Sequence, residues 1–356
     1  MNKLTSLLFI LLITIILVGC SESREQISSE NFIDYSWGYF QENRPIVING
    51  ELFSGVLYSE NTNGVIDNEM SVENGIPHGL FYRHFDNGQL RDKVNYSNGL
   101  GHGPFERYYE NGQLREKGTY KDGKFDSKIE SYYENGQLHT KRTYKNGELD
   151  GPFEEYLSNG QLNSQGTFKD GKQKGVTKIY HRNGNLRQKI TRNNGELDGP
   201  FEEYYSNGQL RDKITYKDGR KDGPFESYYE NGQLWEKGTN KGRNLDGPFE
   251  RYYENGQLRE KGTYKDGRKD GLVERYYENG QLWDKVTYKV VERDGHPTPI
   301  EVYDGPFERY YENGQLHNKG TYEDGKKEGQ WEEYNSDGRV NSQQTGVFQN
   351  GRRISD

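Results

Sequence analysis

Twelve Asn-Gly or Asp-Gly dipeptides punctuate this chain at a step of 24 residues, from Asn63-Gly64 through Asn87-Gly88 and Asn111-Gly112 to Asp337-Gly338. A period between 20 and 50 residues marks an array of supersecondary units, each too small to bury an apolar face alone and so stacked on its neighbours. One interval, Asn279 to Asn313, stretches to 34, which places an insertion of 10 residues between Tyr288 and Gly305. Because an array grows by adding units, 356 residues imply one elongated body rather than two conventional domains. Apolar residues make up only 30% of the chain, but 29 are Tyr, so the core must be built from amphipathic rings. That aromatic content argues against disorder, whose usual signature is a lack of such rings.

The unit GPFERYYENGQLREKGTYKDGKFD, Gly103 to Asp126, shows what is repeated. Two β-prone runs, Phe105 to Glu110 and Gln113 to Tyr120, flank Asn111-Gly112, the strongest short-range hairpin signal. A two-residue type I′ loop there sets Glu110 opposite Gln113 and Tyr109 opposite Leu114. It also pairs Arg107 with Glu116, Glu106 with Lys117, Phe105 with Gly118 and Gly103 with Tyr120. Opposite charges meet twice, and each glycine faces an aromatic ring that can cover bare backbone. Tyr108, Tyr132, Tyr156, Tyr180, Tyr204, Tyr228, Tyr252, Tyr276, Tyr310 and Tyr334 form one column on one face. Phe105, Phe153, Phe201, Phe225, Phe249, Phe307 and Trp331 are expected on the other, with Leu114 and its equivalents beside them.

The expected fold class is therefore all-β: tandem hairpins joined by turns such as Lys121-Asp122-Gly123 into an elongated, twisted antiparallel sheet of about twelve units. At about 4.8 Å per strand, twelve hairpins reach on the order of 115 Å. The phrase Tyr-Tyr-Glu-Asn-Gly-Gln-Leu, the Tyr-Lys-Asp-Gly turn and the Asp-Gly-Pro-Phe that opens the next unit resemble the bacterial variant of the MORN repeat, found in YwqK-type antitoxin components. This resemblance runs from about Gly50 to the C-terminus. It implies an extended hairpin sheet that binds proteins or membranes, and it supplies no catalytic residues.

The N-terminus differs in kind. Lys3 precedes an apolar run from Leu7 to Val18, too short to span a membrane comfortably and typical of an export signal. Leu17-Val18-Gly19-Cys20 resembles the lipobox of bacterial lipoproteins, which implies residues 1–19 as signal peptide and lipidation at Cys20. Cys20 is the sole cysteine, so no internal disulfide can form. Residues 20–44 are expected to tether the array, 45–356, to the membrane, with Ser21 to Glu30 polar and patternless. Ser21, in place of Asp, points in that family to the outer membrane where the organism has one. The localisation expected is the bacterial cell envelope.

No constellation for chemistry emerges. His78 and His102 lie in equivalent turns about 10 Å apart, too far to share a metal ion. Lys217 to Gly223 has the wrong Asp spacing for a calcium loop, and no phosphate-binding GK[ST] loop is present. A column of equivalent glutamates, Glu106 to Glu332, argues against catalysis, which needs one distinctive arrangement rather than many copies. We expect no enzyme, cofactor or metal. A formal charge of −8 disfavours nucleic acid. A protein partner, gripped by several units at once, is the first expectation; a glycan stacked on the Tyr column is the second, and neutralisation of an envelope toxin the third.

Two places break the pattern. In Gly175 to Arg192, Thr177 replaces Phe, Lys178 replaces Glu, His181 the second Tyr and Arg192 the closing Tyr, and Lys178 falls opposite Lys189. Lys178, His181, Lys189 and Arg192 are a candidate basic site for an acidic partner. The insert, 289–304, carries Pro297 and Pro299 and is expected to bulge from the sheet as a loop. The outermost strands, Gly50 to Tyr58 and Gly346 to Ile354, would be open edges unless capped.

Overall fold

The computed structural model describes residues 23–27, 45–292 and 298–355, and among them there are strands and turns but no helix. The chain divides into two compact units, Met1–Lys124 and Phe125–Asp356. In the first, an antiparallel meander runs from Gly55–Glu60 to Leu114–Lys121, every strand pairing with the next in sequence. In the second, the same arrangement runs from Lys124–Tyr132 to Arg352–Ser355. The all-β hairpin array expected from the 24-residue step is the observed fold.

The type I′ geometry expected at Asn-Gly is found instead at the turns between hairpins. Between hairpins, Asp122 and Gly123 both have positive φ, 51° and 76°, the signature of a two-residue type I′ turn. Within the hairpin, only the glycine of Asn111-Gly112 is left-handed, at φ 80°. Tyr109 N–H donates to Gln113 O at 2.8 Å and Gly112 N–H donates to Tyr109 O at 2.9 Å. This is a three-residue loop, a type I turn closed by a left-handed glycine, and not the type I′ loop expected there. It shifts the register by one, and a bulge at Arg115 shifts it back. Arg107 to Gly103 therefore face Glu116 to Tyr120 as expected, while Tyr108, not Tyr109, faces Leu114. Leu114 consequently lies on the Tyr face and not beside Phe105.

The core follows the Phe column. Phe105, Phe153, Phe249, Phe307 and Trp331 are buried, each over the backbone of a neighbouring small residue or against the closing aromatic of its own hairpin. Phe105 packs on Tyr120 at 4.7 Å and Phe249 on Tyr264 at 4.6 Å between ring centroids. A Cβ added at Gly238 would stand 2.9 Å from the Phe225 ring, so the glycine is required by the ring that covers it.

Two further expectations give way. Arg24–Gln26, in the supposed tether, forms a strand that pairs in parallel with Val56, Leu57 and Tyr58. Ser23 O accepts from Val56 N–H at 2.8 Å, Ile27 N–H donates to Tyr58 O at 2.9 Å, and Arg24 pairs with Glu69. This short stretch caps an edge that would otherwise be open. The insert is not a loop along its whole length. Leu282–Val291 and Ile300–Tyr310 are strands that stay paired out to Val291 and Ile300, so it mainly lengthens one hairpin. Arg268 Nε donates to Pro299 O at 2.9 Å, tying the insert to the preceding turn. Pro297 lies outside the described residues, as do Cys20 and the apolar N-terminal run.

Candidate binding surface

Strand pairing brings the Glu and Lys positions of successive hairpins into one row across the sheet. From Lys189 it reads Glu202, Lys213, Glu226, Lys237, Glu250, Lys261, Glu274, Lys285, Glu308, Lys319 and Glu332, alternating without a break. The inter-hairpin contacts are close: Lys237 to Glu250 at 2.7 Å, Lys261 to Glu274 at 2.6 Å and Lys319 to Glu332 at 3.1 Å. The residue two positions beyond each Glu is the column Tyr. Tyr108, Tyr132, Tyr156, Tyr204, Tyr228, Tyr276 and Tyr310 donate their hydroxyls to Glu106, Glu130, Glu154, Glu202, Glu226, Glu274 and Glu308 at 2.6–2.9 Å. Tyr252 and Tyr334 do the same to Glu250 and Glu332. Burial and the hydrogen bond to its Glu push each of Tyr204, Tyr228 and Tyr310 up to about 12. Lys141 and Lys261 cap the rings of Tyr156 and Tyr276, each at 5.8 Å. The face is thus a lattice of Tyr, Glu and Lys in which the column hydroxyls named above are held by Glu and several Glu by Lys of the neighbouring strand.

The second Tyr of the motif works differently, and its role was not apparent from sequence. Tyr205, Tyr229, Tyr253, Tyr277 and Tyr311 donate to the carbonyl of the column Tyr in the next hairpin, at 2.8–2.9 Å. The turn asparagines do likewise: the Asn207 amide donates to Glu230 O at 3.0 Å while its Oδ1 accepts from Gln209 N–H at 2.9 Å. One side chain closes its own turn and staples the next, a double duty that Asp cannot perform because it has no donor. The only hint in the sequence is that Tyr and Asn recur where solvent-facing turn residues would be free to vary.

A second ionic row lies on the core face. Arg251 contacts Glu236 at 2.7 Å and Glu260 at 2.9 Å, Arg275 contacts Asp284 at 3.5 Å, and Arg309 contacts Asp284 at 3.7 Å. Burial raises the Asp284 carboxyl, against the lowering effect of both arginines.

The four candidate basic residues do not converge. Lys178 faces Lys189, as expected from the hairpin register, on the Tyr face, and Lys189 turns to Glu202 at 3.2 Å. Tyr180, with no Glu two positions before it, accepts from Gln165 Nε2 at 2.6 Å instead. His181 occupies the second-Tyr position and bonds through Nε2 to Tyr204 O at 2.9 Å. Arg192 pairs with Gly175 on the core face, where its Nη1 donates to Gly195 O at 3.1 Å. Among the described residues, no group of three or more His, Cys, Asp and Glu side chains is placed to hold a metal ion. No helix there is long and apolar enough to cross a membrane.

A family model described as MORN repeat variant matches ten segments, 77–98, 101–122, 126–146, 149–170, 173–194, 197–218, 221–239, 245–266, 269–289 and 303–324, more than half of the chain. The chain belongs to this MORN repeat variant family. Each MORN match is in phase with a hairpin: 101–122 opens on the strand before the Asn-Gly loop and closes on the type I′ turn. The hairpins at Asn63-Gly64 and Asp337-Gly338 lie outside the ten MORN matches. A comparison with curated proteins finds no match. Similar solved structures include TcdB2–TccC3 with Cdc42 (13% identity, TM-score 0.18) and TcdB2–TccC3 alone (12%, 0.17). Another is a Tc holotoxin pore from Photorhabdus luminescens (14%, 0.12). Each alignment covers 84% of this chain but 18–19% of the other, so this chain spans less than a fifth of those proteins.

Proposed function

We propose that this chain is a non-enzymatic, lipid-anchored scaffold of the bacterial cell envelope whose repeat array binds a protein partner. The observation that carries the reading is the unbroken Lys–Glu row from Lys189 to Glu332 with its Tyr column, one chemical pattern presented many times over. A partner engaging several copies gains avidity from contacts that are individually weak. Equivalent copies do not single out an acid, a base or a nucleophile. The Tyr hydroxyls are already held by Glu and two of the rings are capped by Lys, which favours a charged protein surface over stacked sugars. The anchor rests on Leu17-Val18-Gly19-Cys20, and Ser21 favours the outer membrane where there is one. If the partner is a toxin, as the resemblance to YwqK-type antitoxin components suggests, it must act in the envelope to meet an exported chain.

Affinity capture of the full chain from solubilised envelope tests the reading. One protein recovered in stoichiometric amount is the expected result, and retention on polysaccharide alone would replace this reading with a glycan-binding one. Fatty-acid labelling of the full-length chain should depend on Cys20; an unlabelled chain that still carries Cys20 removes the anchor.

A further inference from the structure

The core row across the sheet alternates bulky and smaller residues, with Phe201, Ile214, Phe225, Gly238 and Phe249 typical of its course. Between Phe153 and Ile190 it runs through Gly166 and Thr177, where most sibling hairpins supply a ring, Ile129 and Val273 supply a branched aliphatic side chain, and Thr177 supplies neither. A second ring is missing one row over, where Arg192 takes the position of Tyr120 and Tyr216. The gap is an open cavity of about 450 Å³, walled by Phe153, Phe168 and Ile190, with Thr177 and Arg192 in its lining. Arg192 Nε is buried there without a hydrogen-bond partner, although its Nη1 is satisfied. The other charges at the cavity already pair: Arg142 donates to Glu155 at 2.9 Å, and Ser164 Oγ donates to the same carboxylate at 2.9 Å. A void lined by aromatic and aliphatic side chains suits a ring, and the Arg192 guanidinium in its lining suits an anionic acceptor on that ring.

We infer that this cavity is a binding site for an aromatic carboxylate. The ring takes the place left by the missing Phe and Tyr, against Phe153 and Phe168, and the carboxylate accepts from Arg192. The same chemistry is offered by a free aromatic acid and by a polypeptide ending in Phe or Tyr. The site lies on the face opposite the Lys–Glu row, so it stands or falls independently of the proposed scaffold surface.

Calorimetric titration of the full chain in detergent tests this with three probes: 3-phenylpropionate, a pentapeptide ending in Phe with a free carboxylate, and the same peptide as its C-terminal amide. Saturable binding of at least one carboxylate probe is expected, with the amide at least tenfold weaker than its acid. Thr177→Phe restores the sibling residue, so it should abolish binding while keeping or raising the melting temperature. Arg192→Gln keeps the space and should erase the preference for acid over amide. A peptide that binds more tightly than the free acid assigns the site to a partner's C-terminus, and equal affinity assigns it to a small aromatic acid. Absence of saturable binding by both carboxylates, equal binding of the amide, or undiminished binding to a folded Thr177→Phe protein overturns the inference.

Discussion

Glu202 on the lattice face is held by Tyr204 from its own strand and Lys189 from the neighbouring one, and this makes these residues sensitive to pH in a definite direction. Glu202 accepts from Tyr204 at 2.7 Å and from Lys189 at 3.2 Å, and these bonds, against the opposing effect of burial, hold its carboxyl below the ordinary 4.5. A depressed carboxyl contributes stability that is present above about 4.5 and lost as pH falls through its folded value. Tyr204, raised by burial and by Glu202 from 10.0 to about 12, contributes stability present below 10.0 and lost as pH rises towards 12. Thermal melts across pH should therefore show a plateau that falls at both ends. Tyr204→Phe should flatten part of the alkaline fall, and an unchanged alkaline limb would contradict the assignment.

At the scale of the hairpin, the seams between repeats are stapled by Tyr hydroxyls and Asn amides, and in the second unit one described seam lacks both. Leu157 stands where the second Tyr should be, and the Asn159 amide turns inward to Gln161 Oε1 at 2.7 Å. Across the same seam the Lys–Glu pair is replaced by Gln165 with Lys178. Removing a staple elsewhere, as in Tyr229→Phe, which frees Tyr252 O, should cost about 0.5–1.5 kcal/mol in urea unfolding. Adding one, as in Leu157→Tyr, should stabilise by a similar amount, with Tyr180 O as the acceptor that completes the series. Lys178→Glu should also stabilise, by about 0.2–1 kcal/mol, because it replaces a like-charge pair with Lys189 by an opposite one. If it does so without altering partner capture, Lys178 is drift in an old repeat. Hairpins as elements were legible because Asn-Gly and Asp-Gly announce reversals, and Lys178 against Lys189 followed from counting. Which dipeptide makes which turn was not, since Asn-Gly is compatible both with type I′ and with a type I turn closed by a left-handed glycine, and the bulge at Arg115 leaves no mark on the sequence.

At the largest scale, a strand at the edge of a sheet carries unpaired N–H and C=O groups that invite association. In the N-terminal unit the edge at Gly55–Glu60 is covered by Arg24–Gln26 from a segment with no β pattern of its own. Replacing Arg24, Glu25 and Gln26 by Pro, Gly and Pro should uncover it. Sedimentation is then expected to show concentration-dependent association absent from the unmodified chain, and a strictly unchanged profile would mean that the strand does not protect the edge. The edge cap was invisible in sequence because a parallel strand of three polar residues is recruited by its neighbour's free N–H and C=O groups and not by hydrophobic periodicity.

The sequence by itself determined that this chain is an array, where its units begin and which residues share a column. Those properties follow from local turn chemistry and a fixed step, which every unit repeats. Only the tertiary structure decided that Leu114 joins the Tyr face, that Asn207 and Tyr229 bind forward into the next hairpin, and that Lys178 and Arg192 lie on opposite faces. It also showed that the absence of Phe and Tyr at Thr177 and Arg192 opens one cavity. These outcomes depend on how one strand meets the next across a ladder with bulges, where a shift of a single residue moves a side chain from one face to the other.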